Sequence, residues 1–193
     1  MRRALCYVML AGMAASAYGQ IPDPLPIVQE ILLTDVLPVR HGDAALGDFD
    51  QDNDLDLLLT GARGGPSNPN PSTILYRSEG DTTLFVEVDS VLVEVDAVHM
   101  RVVPGAGIPN LWRSTANWGD FDGDSDLDVA IMGVDAQGNV VTAVYELLNT
   151  NGNFSPEYQS QTPVHSGDLI WADVDHDGDL DLTVCGVRKA GSR

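Results

Sequence analysis

Gly119-Asp-Phe-Asp-Gly-Asp-Ser-Asp-Leu-Asp-Val129 puts an aspartate on every second residue from Asp120 to Asp128, then runs through Ala130-Ile-Met to Gly133. The same line is written twice more. It stands as Gly47-Asp-Phe-Asp-Gln-Asp-Asn-Asp-Leu-Asp-Leu57, reaching Gly61, and as Ala172-Asp-Val-Asp-His-Asp-Gly-Asp-Leu-Asp-Leu182, reaching Gly186. The three windows contain Asp48, Asp50, Asp52, Asp54 and Asp56; Asp120, Asp122, Asp124, Asp126 and Asp128; and Asp173, Asp175, Asp177, Asp179 and Asp181. These are 15 of the 29 acidic residues. A merely solvated acidic face has no reason to keep one register three times, whereas a repeated ligand set does.

The spacing has a chemical reading. Calcium takes six to eight oxygens, and carboxylates on alternate residues of a tight loop converge on one point. Positions one, three and five of each loop supply side chains, position seven its backbone carbonyl, and position nine a closing carboxylate. In the second copy these are Asp120, Asp122 and Asp124, then Asp126, then Asp128. Asp48, Asp50, Asp52, Asp54 and Asp56 match them in the first copy, and Asp173, Asp175, Asp177, Asp179 and Asp181 in the third. All-oxygen ligation suits calcium better than zinc or copper, with magnesium or manganese as lesser alternatives. About three ions per chain are expected. Position six calls for a left-handed backbone, which Gly178 adopts freely and Asn53 tolerates. Ser125 is the least comfortable there, which points to a strained second loop.

The residues on the far side of each loop decide the fold class. An EF-hand needs a glutamate at position twelve and then a helix. Here that position is Leu59, Ile131 or Val184. The runs Leu55-Asp-Leu-Leu-Leu-Thr60, Leu127-Asp-Val-Ala-Ile-Met132 and Leu180-Asp-Leu-Thr-Val-Cys185 read as strands buried on both faces. His41 to Leu46, Ser114 to Trp118 and Asp168 to Trp171 read as the strands entering each loop. A hairpin comes next in the first copy, from Thr73-Ile-Leu-Tyr-Arg77 through a turn at Glu79-Gly-Asp81 to Leu84-Phe-Val-Glu-Val88. In the second copy Val140 to Leu148 turns at Asn151-Gly-Asn153. Four antiparallel strands per repeat describe a β-propeller blade. The expectation is an all-β chain of about two and a half blades: 41–111, 112–166 and a partial 167–193. A closed propeller needs at least four blades, so the chain reads as a piece of a larger one, a small independent repeat fold being the alternative.

The three Asp loops with their strand and glycine, together with Leu75-Tyr-Arg77 and Phe85-Val-Glu-Val88, resemble the FG-GAP/VCBS repeats of integrin α-subunit propellers and of secreted bacterial proteins. The resemblance covers roughly residues 41 to 187. It implies propeller blades with calcium in the loop between the first two strands of each, and a role in adhesion, surface interaction or scaffolding rather than catalysis. The rival reading is the propeller portion of a secreted carbohydrate-active enzyme whose catalytic site lies outside this chain.

The remaining sequence bounds the setting. Arg2 and Arg3 precede the apolar stretch Leu5 to Ala17, and small residues at Ala17 and Gly19 predict a cleavable export signal at 1–19. Segment 20–40 comes after it, with an outer strand expected at Pro26 to Leu33. Losing a leader with two arginines and no acids takes the formal charge from −19 to −21. So acidic a chain repels nucleic acid and anionic lipid, and no membrane insertion is expected after cleavage. Its partner would be an extracellular protein or carbohydrate, with the chain secreted, at the cell surface or in the periplasm. Cleavage leaves one cysteine, Cys185, so metal rather than a disulfide is the expected staple. Cys185 reads as a buried small hydrophobe, His176 as solvent-exposed, and Trp118 and Trp171 as packing between blades. The histidines lack zinc spacing, and no nucleophile elbow or phosphate loop is present.

Overall fold

The computed structural model describes residues 7–10, 29–34, 36–65, 67–88 and 91–188, with side chains for 36–65, 67–80 and 99–188. The described chain is all-β. Its strands are β1 (Tyr7–Leu10), β2 (Gln29–Thr34), β3 (Ala44–Gly47), β4 (Asp56–Ala62), β5 (Pro71–Val88) and β6 (Val91–Val103). They continue as β7 (Trp112–Gly119), β8 (Asp128–Val134), β9 (Val140–Asn149), β10 (Asn153–Gln159), β11 (Val164–Ala172) and β12 (Asp181–Arg188). Two compact units emerge, one of residues 1–37 and 79–100, the other of 38–78 and 101–193.

In the smaller unit β1 pairs antiparallel with β2, and β2 pairs parallel with β6 through Leu32–Ala97 to Thr34–His99. Of the outer strand expected at Pro26 to Leu33, residues 26–28 lie outside the described residues, and the strand that does form, β2, lies between β1 and β6 rather than at an edge. Apart from β1, the leader at 1–19 lies outside the described residues.

The larger unit carries the three Asp loops. The first repeat's strands run β3-β4-β5-β6 within a six-stranded sheet that β2 and β1 continue, with residues 79–100 of β5 and β6 counted in the smaller unit. The second repeat is the four-stranded sheet β7-β8-β9-β10, and the third the pair β11-β12. Four strands per repeat, as in β7-β8-β9-β10 and in the β3-β4-β5-β6 part of the first sheet, match propeller blades, the third repeat being represented by two strands. Each Asp loop closes on the same pair: Gly47 opposite Asp56, Gly119 opposite Asp128, and Ala172 opposite Asp181. One register for three loops arises from one sequence pattern, because in each the position-nine aspartate must stand at the loop's mouth to accept the position-two amide, of Phe49, Phe121 or Val174.

β4 and β8 are buried along their whole length. Alternate residues of β8 serve different cores, as a strand's two-residue period requires. Val129 and Ile131 pack with Phe49, Leu58, Leu75, Leu111 and Trp118, while Ala130 and Met132 pack with Val144 and Leu169. The second sheet is thus lined on both sides, which explains its unbroken apolar run.

Two expectations are corrected. Glu79-Gly-Asp81 makes no turn: β5 continues unbroken to Val88. Thr82-Thr-Leu-Phe-Val86 is itself strand-forming, so the left-handed φ of +87° at Gly80 is absorbed within the strand instead of reversing it. The turn at Asn151-Gly-Asn153 does form, with Gly152 at φ +79° and its N–H donating to the Asn149 carbonyl. Cys185 is exposed rather than buried. Its counterparts Thr60 and Met132 are fully buried by a third strand and a neighbouring sheet. Among the described residues, β12 has only β11 beside it.

Candidate metal centres

Each Asp loop is a hairpin connection whose turns are made by its own carboxylates. Asp48 accepts the amides of Asp52 (3.0 Å) and Asn53 (2.9 Å), and Asp120 those of Gly123 (2.8 Å) and Ser125 (3.1 Å). Asp173 accepts that of Gly178 at 3.2 Å. The position-five carboxylates of Asp52, Asp124 and Asp177 each accept the amide two residues on. Such short-range bonds curl the backbone into successive turns. The curl needs left-handed residues at position six, namely Asn53 (φ +74°), Ser125 (+78°) and Gly178 (+102°). It needs them again at position four, namely Gln51 (+60°), Gly123 (+78°) and His176 (+63°). The second requirement was not foreseen from the sequence, where only Gly123 hints at it. The first loop therefore holds two non-glycine residues in this region and the second holds one.

Positions one, three and nine converge. Carboxylate oxygens of Asp48, Asp50 and Asp56 lie within 4.8 Å of one another, as do those of Asp120, Asp122 and Asp128, and of Asp173, Asp175 and Asp181. Asp52, Asp124 and Asp177, expected as ligands from position five, stand outside these trios, as do Asp54, Asp126 and Asp179 at position seven. The trios suit a hard cation on a second ground. Among the described residues, Asp50 Oδ1 and Asp173 Oδ1 are buried and accept no hydrogen bond, and the same holds for Asp126 Oδ1. A buried carboxylate oxygen without a donor is costly unless a positive charge faces it.

The position-nine aspartate does more than close a ligand shell. Asp56 is fully buried and accepts the amides of Phe49 (3.1 Å) and Ser78 (2.8 Å), tying the loop to β5. Asp128 repeats this with Phe121 (3.2 Å) and Leu147 (2.9 Å) on β9. Asp181 is exposed and, among the described residues, accepts the Val174 amide alone, at 2.9 Å. Burial pushes Asp56 up to about 7; the amides of Ser78 and Phe49 resist, while the charges of Asp50 and Asp52 add to it. Burial likewise takes Asp128 to about 6 against the Leu147 and Phe121 amides, with Asp122 and Asp124 adding repulsion. Asp126 also rises to about 6, through burial and then Asp124. Carboxylates held this close to losing their charge are a set short of a counter-cation.

The first two loops also receive the next sheet. Trp118 stacks on Phe49 with ring centroids 6.4 Å apart, leans on Phe154 at 6.1 Å, and donates its indole N–H to the Ala45 carbonyl at 3.1 Å. Trp171 stacks on Phe121 at 6.5 Å. Each tryptophan lies over the glycine that opens the preceding loop. A Cβ on Gly47 would sit 2.8 Å from the Trp118 ring, and one on Gly119 2.5 Å from that of Trp171. The third loop has Ala172 and Val174 in these places, with Val174 exposed. The tryptophans' packing between blades was legible in the sequence, but their glycine and phenylalanine seats were missed. The signal lay in Gly-Asp-Phe of copies one and two against Ala-Asp-Val of copy three.

Residues 120–184, from the start of the second loop into β12, match the family model described as an FG-GAP-like repeat. No curated protein and no solved structure matches the chain.

Proposed function

We propose that this is an exported, calcium-stabilised β-propeller repeat protein. It acts without catalysis outside the cell, in adhesion, surface interaction or scaffolding, with a protein or carbohydrate as its ligand. The observation that supports the reading is the threefold convergence of carboxylates from positions one, three and nine, with a buried oxygen that no donor among the described residues satisfies in the first and third trios. All-oxygen, acid-rich sets of this kind favour calcium, and extracellular modules bind it at the millimolar levels found outside cells. Export is supported by Arg2-Arg3 and the apolar stretch to Ala17. No helix among the described residues is long and apolar enough to cross a membrane.

The third loop is the place to test ligand roles, because its carboxylates from Asp175 onward are exposed and substitution there disturbs packing least. Asp175→Ala should weaken one calcium site by about tenfold or more, since affinity depends on ligand charge count. Asp179→Asn, at a position offering its carbonyl, should leave that site nearly unchanged. Calcium titration calorimetry reads both, and equal weakening by the two substitutions would contradict the assignment.

A further inference from the structure

The first centre has a cation already built beside it, and we propose that Arg77 sets its calcium affinity well below that of the second centre. The inference rests on the calcium reading above and concerns how the centres differ. Arg77 Nε lies 2.8 Å from Asp50 Oδ2, and the Asp50 side chain is only 7% exposed. The other oxygen of that carboxylate, Oδ1, is buried without a donor and belongs to the residue that joins Asp48 and Asp56 in the trio. Arg77 is also held from two further directions. Its guanidinium donates to the Thr150 carbonyl and lies 5.3 Å over the Phe49 ring. It is therefore not free to swing into solvent when a second cation arrives. Calcium entering the first loop shares one carboxylate with a fixed positive charge, in a setting where burial leaves little screening.

Among the described residues, no ion pair of this kind reaches the second centre. Tyr76 stands opposite Leu57 and Tyr145 opposite Val129 in matching registers, and the residues two beyond Leu75 and Val144 are Arg77 and Glu146. The next amides, of Ser78 and Leu147, bind the position-nine aspartates in the same way. Glu146, half-buried, thus stands at the register position that Arg77 holds in the first copy. The backbone points in the same direction, because the first loop strains both Gln51 and Asn53 into the left-handed region where the second has Gly123 and Ser125. The second centre is then the tighter of the two, the reverse of the order expected from Ser125 alone. The first fills over a higher calcium range, at a point where Arg77 also links the β9–β10 turn.

Calcium titration calorimetry of the full chain tests this with Arg77→Gln and Glu146→Arg. The wild type should show at least two affinity classes. Arg77→Gln should tighten a weak site by about tenfold or more, and Glu146→Arg should loosen a tight one by a similar factor, with three ions still bound in each. Circular dichroism identifies a variant that fails to fold, in which case the other variant decides. Unchanged affinities in the folded variants, with three ions bound, would overturn the role of Arg77 and leave the calcium reading standing. No ion bound by the wild type would overturn the calcium reading, and this inference with it.

Discussion

Chelating calcium at pH 7.5 should lower the melting temperature by roughly 15 °C or more relative to calcium held at about a hundred times the dissociation constant of the weakest site. A ligand that binds the folded loops and not the unfolded chain stabilises by about 2.7 kcal/mol per site at a hundred times its dissociation constant. Three such sites together contribute about 8 kcal/mol, comparable with the whole stability of an ordinary domain. At this chain length each kcal/mol moves the midpoint by roughly 2–4 °C. The chelated protein should also show an inverted pH profile. Asp56 (about 7) and Asp128 (about 6) hold protons in the folded state that the unfolded chain releases near the ordinary carboxyl value of 3.8. Between those limits the folded state binds more protons, so stability falls as pH rises from about 4 to 7 and levels off above. Asp50 and Asp126 act in the same sense. His165, lowered by burial and by Arg113, opposes them as one group against four. Asp135, whose slight burial is outweighed by hydrogen bonds from Asn139 and from loop amides, titrates below the window. Calcium should abolish the profile, because bound carboxylates no longer take up protons. Thermal scans at several pH values, with calcium or chelator, would show both effects. A chelated protein that is no less stable at pH 7.5, or that gains stability from pH 4 to 7, would contradict them.

Trp118→Ala should cost about 3–5 kcal/mol, the range for truncating a large buried aromatic. Trp118 is 9% exposed, stacks on Phe49, touches Phe154 and bonds the Ala45 carbonyl, so it joins the first sheet to the second. Trp171→Ala should cost distinctly less. Its ring is half-buried, its indole nitrogen has no hydrogen-bond partner among the described residues, and it stacks on Phe121 at the margin of the cluster around Met132 and Leu169. Urea unfolding in saturating calcium separates the two, and equal losses would mean that the sheets are not held by the seat that Gly47 and Phe49 provide.

Much of this was legible in the residues because the period of the chain is so regular. Asp alternation fixed the loops, the apolar runs after them fixed β4, β8 and β12, and Asn151-Gly-Asn153 fixed a turn. The misreading at Glu79-Gly-Asp81 arose because a glycine flanked by acids serves equally as a turn or as a kink inside a strand. Only the β-forming residues on its far side decide between them. Cys185 was misread for a different reason. Local pattern reports what a strand could bury, while its neighbours determine what it does bury, and β12 lies beside β11 alone among the described residues. The ion pair of Arg77 with Asp50 was invisible in sequence because it links positions 27 residues apart, through the pairing of β5 with β4.

The most direct test is elemental analysis of the purified full chain after dialysis against millimolar calcium. About three calcium ions per chain are expected. A protein that folds to the same strand content and carries no calcium would contradict the reading of the Asp loops as metal centres.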